Sequence, residues 1–126
     1  MSIASRAQEA AGVTPLRSRI VTDDEMARAL DWLRDNASDI GAARARLIKA
    51  ERLLAHVEAL CIKSSEASSD QKKKADARTD ARWLAAAMEE AEAAGAFETM
   101  RALREAASAR LEAWRSEQAT IRGIRV

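Results

Sequence analysis

The chain has 126 residues, enough for one domain. Hydrophobic residues make up 48% of it, but alanine is the commonest of these, and with one Phe, three Trp and no Tyr a compact core would be thin. The 21 Lys and Arg nearly balance the 20 Asp and Glu, so the net charge of +1 argues against a strong general binder of DNA. Cys61 has no partner for an internal disulfide, which points to a reducing compartment. No apolar run approaches the roughly 20 residues of a membrane span, and the N-terminus MSIASRAQEAAGV lacks the apolar core of a signal peptide. These features predict a cytoplasmic protein with no membrane segment.

Residues 1–21 hold the only proline, Pro15, and show no periodicity, so they read as an N-terminal arm. Its apolar end, Leu16, Ile20 and Val21, either docks on a neighbour or stays disordered. A helix should begin after Thr22, an N-cap with Glu25 three residues on to complete a capping box. Asp23 and Asp24 add negative charge where the helix dipole favours it. Met26, Leu33, Ile40, Leu47, Leu54 and Cys61 then recur every seventh residue. Ala29, Asn36, Ala43, Ala50 and Val57 fall between them. That heptad seam predicts one helix over about 23–63, roughly 60 Å long at 1.5 Å per residue.

The polar stretch SSEASSD at 64–70 predicts a turn. Helix should resume near Gln71 and run to about 122, either continuously or broken at Gly95, with Gly123 ending it. Trp83, Leu84, Ala87, Met88 and Ala91 begin its apolar stripe. Phe97, Met100, Leu103, Ala107, Leu111, Trp114 and Ile121 continue it at three- and four-residue spacing. No strand-like alternation occurs.

Charge blocks select the pairing. Residues 23–39 hold six acids against two bases, and 42–63 five bases against two acids. Residues 83–100 hold four acids and no base, and 101–126 six bases against three acids. Folding at 64–70 sets unlike blocks side by side, whereas a parallel pairing sets like beside like. The predicted fold is therefore all-α: a long, coiled-coil-like antiparallel helical hairpin over 22–126. Two helices do not close a core, and the stripes left over predict oligomerisation. Trp32, on the flank of the first seam, is a candidate interface residue, set against packing on the chain's own second helix.

Catalytic chemistry finds no support. His56 is the only histidine and reads as solvated or helix-packed, and Cys61 continues the seam as a small apolar residue. No Cys/His spacing suits zinc, and the four glycines are too scattered to cradle a phosphate. Glu89, Glu90 and Glu92 point around a helix and read as a solvated acidic face. No cofactor, metal or catalytic residue is expected, and the chain is not expected to be an enzyme. The surplus of positive charge is local. Lys72, Lys73, Lys74, Arg78 and Arg82 lie at or just beyond the turn, and Arg115, Arg122 and Arg125 at the C-terminal end. Either cluster suits phosphates, with backbone-led, salt-sensitive and sequence-tolerant binding, since aromatic stacking partners are few. The KKK run reads equally as an ordinary solvated turn.

Trp83, followed by Arg110, Glu112, Trp114, Arg115 and Ala119 in the pattern R-x-E-x-W-R-x-x-x-A, resembles small helical phage and prophage recombination proteins. That group is distantly similar to the UvsY-type recombination mediators, and the resemblance covers roughly residues 25–122. It implies a cofactor-free oligomer that binds single-stranded DNA, destabilises the coat of a single-strand-binding protein and helps load a RecA-like recombinase. It places DNA contacts on Lys72, Lys73, Lys74, Arg78, Arg82, Arg115 and Arg122, and self-association on Leu111, Trp114, Ile121 and Ile124. The competing expectation is a protein-only helical adaptor or inhibitor, such as a phage anti-defence or structural accessory protein.

Overall fold

A computed structural model of the protein describes residues 20–125. The expected arm therefore lies outside the described residues over 1–19. The described chain is helical, with no strand among its residues. Three helices follow in order: α1 (Asp23–Ser64), α2 (Asp70–Ala77) and α3 (Ala81–Arg125). The two long helices pack against each other, in two compact units: described residues 20–35 with 104–125, and Asn36–Leu103.

α1 starts as its sequence dictates. The Thr22 carbonyl accepts the first helical bond from Met26 N at 3.0 Å. Its hydroxyl accepts from Glu25 N at 3.1 Å and donates to Glu25 Oε1 at 3.2 Å. One of the four orphan N–H groups of the first turn is thereby satisfied. Three acids occupy that turn, and Lys63 the last, as the helix dipole favours.

In the first unit, Val21, Ala29 and Ala107 are buried. Ile20 N donates to Glu117 Oε1, and Trp114 Nε1 donates to Asp23 Oδ1 at 2.8 Å. Ascending positions near α1 thus meet descending positions on α3, so the two segments run antiparallel here. At the end of the expected arm Val21 is buried, while Ile20 bonds Glu117 through its backbone N–H and leaves its side chain 80% exposed.

In the second unit, Ile40, Ala50, Cys61, Ala77, Ala86, Ala93 and Phe97 are buried. Phe97 is the largest of them, and its burial contributes about 1.5–3 kcal/mol. Alanines at the contact let two helices approach closely, but they bury little area. Arg44 lies over the Phe97 ring at 5.6 Å, and Arg46 reaches Glu89. The order of these contacts is again antiparallel.

The second half of the chain breaks elsewhere than the glycine suggests. α3 runs through Gly95, where the Thr99 hydroxyl bonds the Gly95 carbonyl at 3.0 Å. It also continues through Gly123 to Arg125. The interruption falls at Arg78–Asp80. There the Thr79 hydroxyl donates to Asp76 O at 2.6 Å, closing α2. The Asp80 carboxylate accepts from Arg82 N at 2.8 Å, opening α3. Thr-Asp supplies stop and start signals within two residues, and local side-chain bonds outweigh the helical pattern on either side.

Candidate functional site

α2 exists because Ser69 caps it. Ser69 has an extended backbone, and its hydroxyl accepts from Lys72 N at 3.2 Å. The helix then carries Lys72, Lys73 and Lys74 in sequence. Lys72 and Lys74 are exposed and Lys73 is half-buried. Consecutive helical residues are about 100° apart, so the three ammonium groups fan over about 200° rather than converging. None forms an ion pair among the described residues.

The arginines behave differently. Arg78 Nε bonds Glu58 Oε1 at 3.1 Å, and its guanidinium lies 5.6 Å from the Trp83 ring. Arg82 forms a two-point contact with Asp80, at 3.1 and 2.9 Å. That contact and the Arg82 backbone N–H, against a smaller opposing effect of burial, hold the Asp80 carboxyl at about 2. In the first unit, Arg115 bonds Glu112 at 3.0 Å, while Arg122 is exposed with no acid partner among the described residues. The structure thus sets Lys72, Lys73, Lys74, Arg78 and Arg82 in one unit, with the two arginines already engaged. Arg115 and Arg122 belong to the other unit.

The expected interface residues also divide. Trp114 is half-buried and tied to Asp23. Leu111 and Ile121 are half-buried, and Ile124 is 78% exposed. Trp32 is half-buried and has partners within the chain. The larger apolar surface lies on residues that sequence reasoning assigned to packing or passed over. Leu30, Leu53, Leu60, Leu84, Met88 and Leu103 each expose close to half of their surface or more. Leu53 and Leu60 escape a seven-residue seam because they sit one position before it, at Leu54 and Cys61. Lys49, Arg52 and Lys63, exposed on α1, were also passed over, although their spacing of three and eleven was readable.

Enclosed chemistry is sparse. An open depression of about 570 Å³ is lined by Glu66, Ala67, Lys72, Ala75, Asp76 and Thr79. Its polar groups carry both signs, and Asp76 is already held by the Ser65 hydroxyl at 2.7 Å. Among the described residues no cluster of three His, Cys, Asp or Glu is placed to hold a metal ion. No described helix is long and apolar enough to cross a membrane. Glu89 is held below the usual carboxylate range by its hydrogen bond to Arg46. That is the mark of a structural ion pair, since Arg46 Nε lies 2.8 Å away and its Nη2 also faces Glu92 at 3.7 Å.

No family model, curated protein or solved structure matches this chain.

Proposed function

We propose that this chain is a non-catalytic helical assembly protein, a coiled-coil-like antiparallel hairpin that forms a homo-oligomer and serves DNA recombination. In this reading it holds single-stranded DNA in the cytoplasm, loosens a single-strand-binding protein's coat and helps a RecA-like recombinase to load. The observation that carries the assembly is an inversion of burial. The interior is mostly alanine, while Leu53, Leu60, Leu84 and Met88 stand 46%, 45%, 54% and 58% exposed. A lone exposed leucine needs no explanation, but leucines outside an alanine core are the pattern of an uncovered interface. The DNA role draws support from the unpaired lysines of α2 and from the resemblance to UvsY-type mediators. Light scattering should give a mass above one chain, and Leu53→Gln with Leu60→Gln should lower it while helicity is retained. A monomer at all concentrations sinks the assembly. Anisotropy of a labelled single-stranded oligonucleotide at low and moderate salt tests the DNA role, and no binding at low salt removes it.

A second reading is a protein-only adaptor or inhibitor. It is favoured by the engagement of Arg78, Arg82 and Arg115 with carboxylates of their own chain, which takes charge away from any phosphate. A stable stoichiometric complex with a protein partner, formed without DNA, distinguishes it.

A further inference from the structure

We propose that the outward face of α1 between Lys49 and Lys63 is a track for the sugar–phosphate backbone of a nucleic acid. This rests on the DNA-binding reading above and deepens it by placing the contact on residues outside the α2 lysines.

The track follows from helix geometry. At about 100° per residue, Lys49, Arg52, His56 and Lys63 fall within an arc of roughly 60°. All four are exposed. Ile40, Ala50 and Cys61 are buried and mark the side of α1 turned towards its own unit. By the same angular count the cationic arc lies on the opposite side. Exposed Ala59, about 20° beyond Arg52, borders the arc on one side, and Leu60 and Leu53, about 20° and 40° beyond Lys49, border it on the other, so the track runs along the edge of the exposed leucines. The acids of this stretch, Glu51 and Glu58, project elsewhere, about 130° or more from the centre of the arc. Glu58 is in any case half-buried and committed to Arg78.

In this unit Arg46, Arg78 and Arg82 each lie within 3.1 Å of an acid. Lys49, Arg52 and Lys63, like the α2 lysines, have no ion pair among the described residues. What distinguishes them from Lys72, Lys73 and Lys74 is that they fall on one arc of about 60° instead of fanning over about 200°. Lys63 complements the carbonyl end of α1, but Lys49 and Arg52 lie too far back for that role. The steps along the helix axis are about 4.5 Å from Lys49 to Arg52, 6 Å to His56 and 10.5 Å to Lys63. That is a line of about 21 Å suited to a linear polyanion rather than a single phosphate. Lys49, Arg52 and Lys63 supply charge, and His56 supplies a ring N–H donor to a phosphate oxygen.

The test uses the full chain and two labelled probes, an oligothymidylate and a mixed-sequence duplex, titrated across a salt series. Two variants are compared with the parent: Lys49→Glu/Arg52→Glu/Lys63→Glu on α1, and Lys72→Glu/Lys73→Glu/Lys74→Glu on α2. If the α1 charge reversal loses helicity, Lys49→Gln/Arg52→Gln/Lys63→Gln takes its place, since glutamine keeps a helix-forming stem. Loss of three phosphate contacts should weaken single-strand binding at least about tenfold and flatten the slope of log affinity against log salt by about 2. On duplex the flattening should be about 2.7. Whichever probe the parent prefers identifies the nucleic acid. A parent that binds while the α1 variants match it in affinity and slope overturns the track, and loss confined to the α2 variant leaves the DNA-binding reading standing. A parent that binds neither probe at low salt overturns both.

Discussion

Trp114 Nε1 donates to Asp23 Oδ1 at 2.8 Å, joining the first turn of α1 to α3 across 91 residues of sequence. The same aspartate serves the helix dipole at the start of α1, so one side chain begins a helix and ties it to its neighbour. Trp114→Phe keeps an aromatic ring of smaller area and removes the bond. Because Asp23 is exposed, the loss should be only about 1 kcal/mol. Trp114→Ala also gives up half-buried ring area and should cost about 2–3 kcal/mol. Urea unfolding at a fixed protein concentration measures both. Equal losses for the two variants would show that the hydrogen bond carries the contact.

Gly41 and Gly95 both lie inside long helices, and an added Cβ at either would meet nothing within 4 Å. Neither glycine serves close packing in its unit, so each leaves α-helical propensity unused. Gly41→Ala and Gly95→Ala should each raise stability by about 0.5–1 kcal/mol. Thermal unfolding checks this. A destabilised Gly95→Ala that still unfolds cooperatively would instead locate a close contact with another copy at that position.

The Trp83 indole N–H is buried without a hydrogen-bond partner among the described residues. A buried donor left unmade is unfavourable, so removing it need not destabilise the fold. Trp83→Phe keeps an aromatic face for Arg78 and should fall within about 1 kcal/mol of the parent, on either side. Trp83→Ala should lose about 2–3 kcal/mol. A Trp83→Phe loss as large as the Ala loss would mean that the N–H has an acceptor in solution.

Asp80 titrates at about 2, well below its ordinary 3.8. The Arg82 side chain is the main cause, followed by the Arg82 backbone N–H. A carboxyl depressed in the folded state contributes stability that is complete above its unfolded value, about 4. That contribution fades as pH falls through about 2. Asp80→Asn keeps a good N-cap residue but removes the charge. It should be less stable than the parent at neutral pH, and the difference should shrink below pH 4 and vanish only below about 2. A gap that persists unchanged at low pH would assign the effect to the cap alone. Parallel urea titrations at several pH values decide it.

The break between α2 and α3 shows how legible local structure was. Thr79 and Asp80 were readable as stop and cap signals, yet Gly95 drew attention because glycine is the weaker helix former. In the structure an exposed glycine flanked by long helical stretches costs too little to end the helix. A threonine hydroxyl and an aspartate carboxylate, by contrast, satisfy the orphan backbone groups of two ends at once.

Residue order alone determined the helical state of the described chain and the start of α1 at its Thr22 cap, because periodicity and capping act within a few residues. The seven-residue seam located the buried Ala29, Ile40, Ala50 and Cys61. Opposed charge blocks anticipated Arg46 against Glu89. Only the tertiary structure decided which cations remain uncommitted. Arg78 and Lys72 look alike in a basic run, but Arg78 is spent on Glu58, a residue twenty positions earlier on another helix. Exposure was decided at the same level. Leu53 and Leu54 are chemically identical neighbours, and packing within their unit leaves the first 46% exposed and the second half-buried. A one-residue step turns a helix by about 100°, so which leucine is covered depends on where the other helix lies, a relationship no local pattern contains.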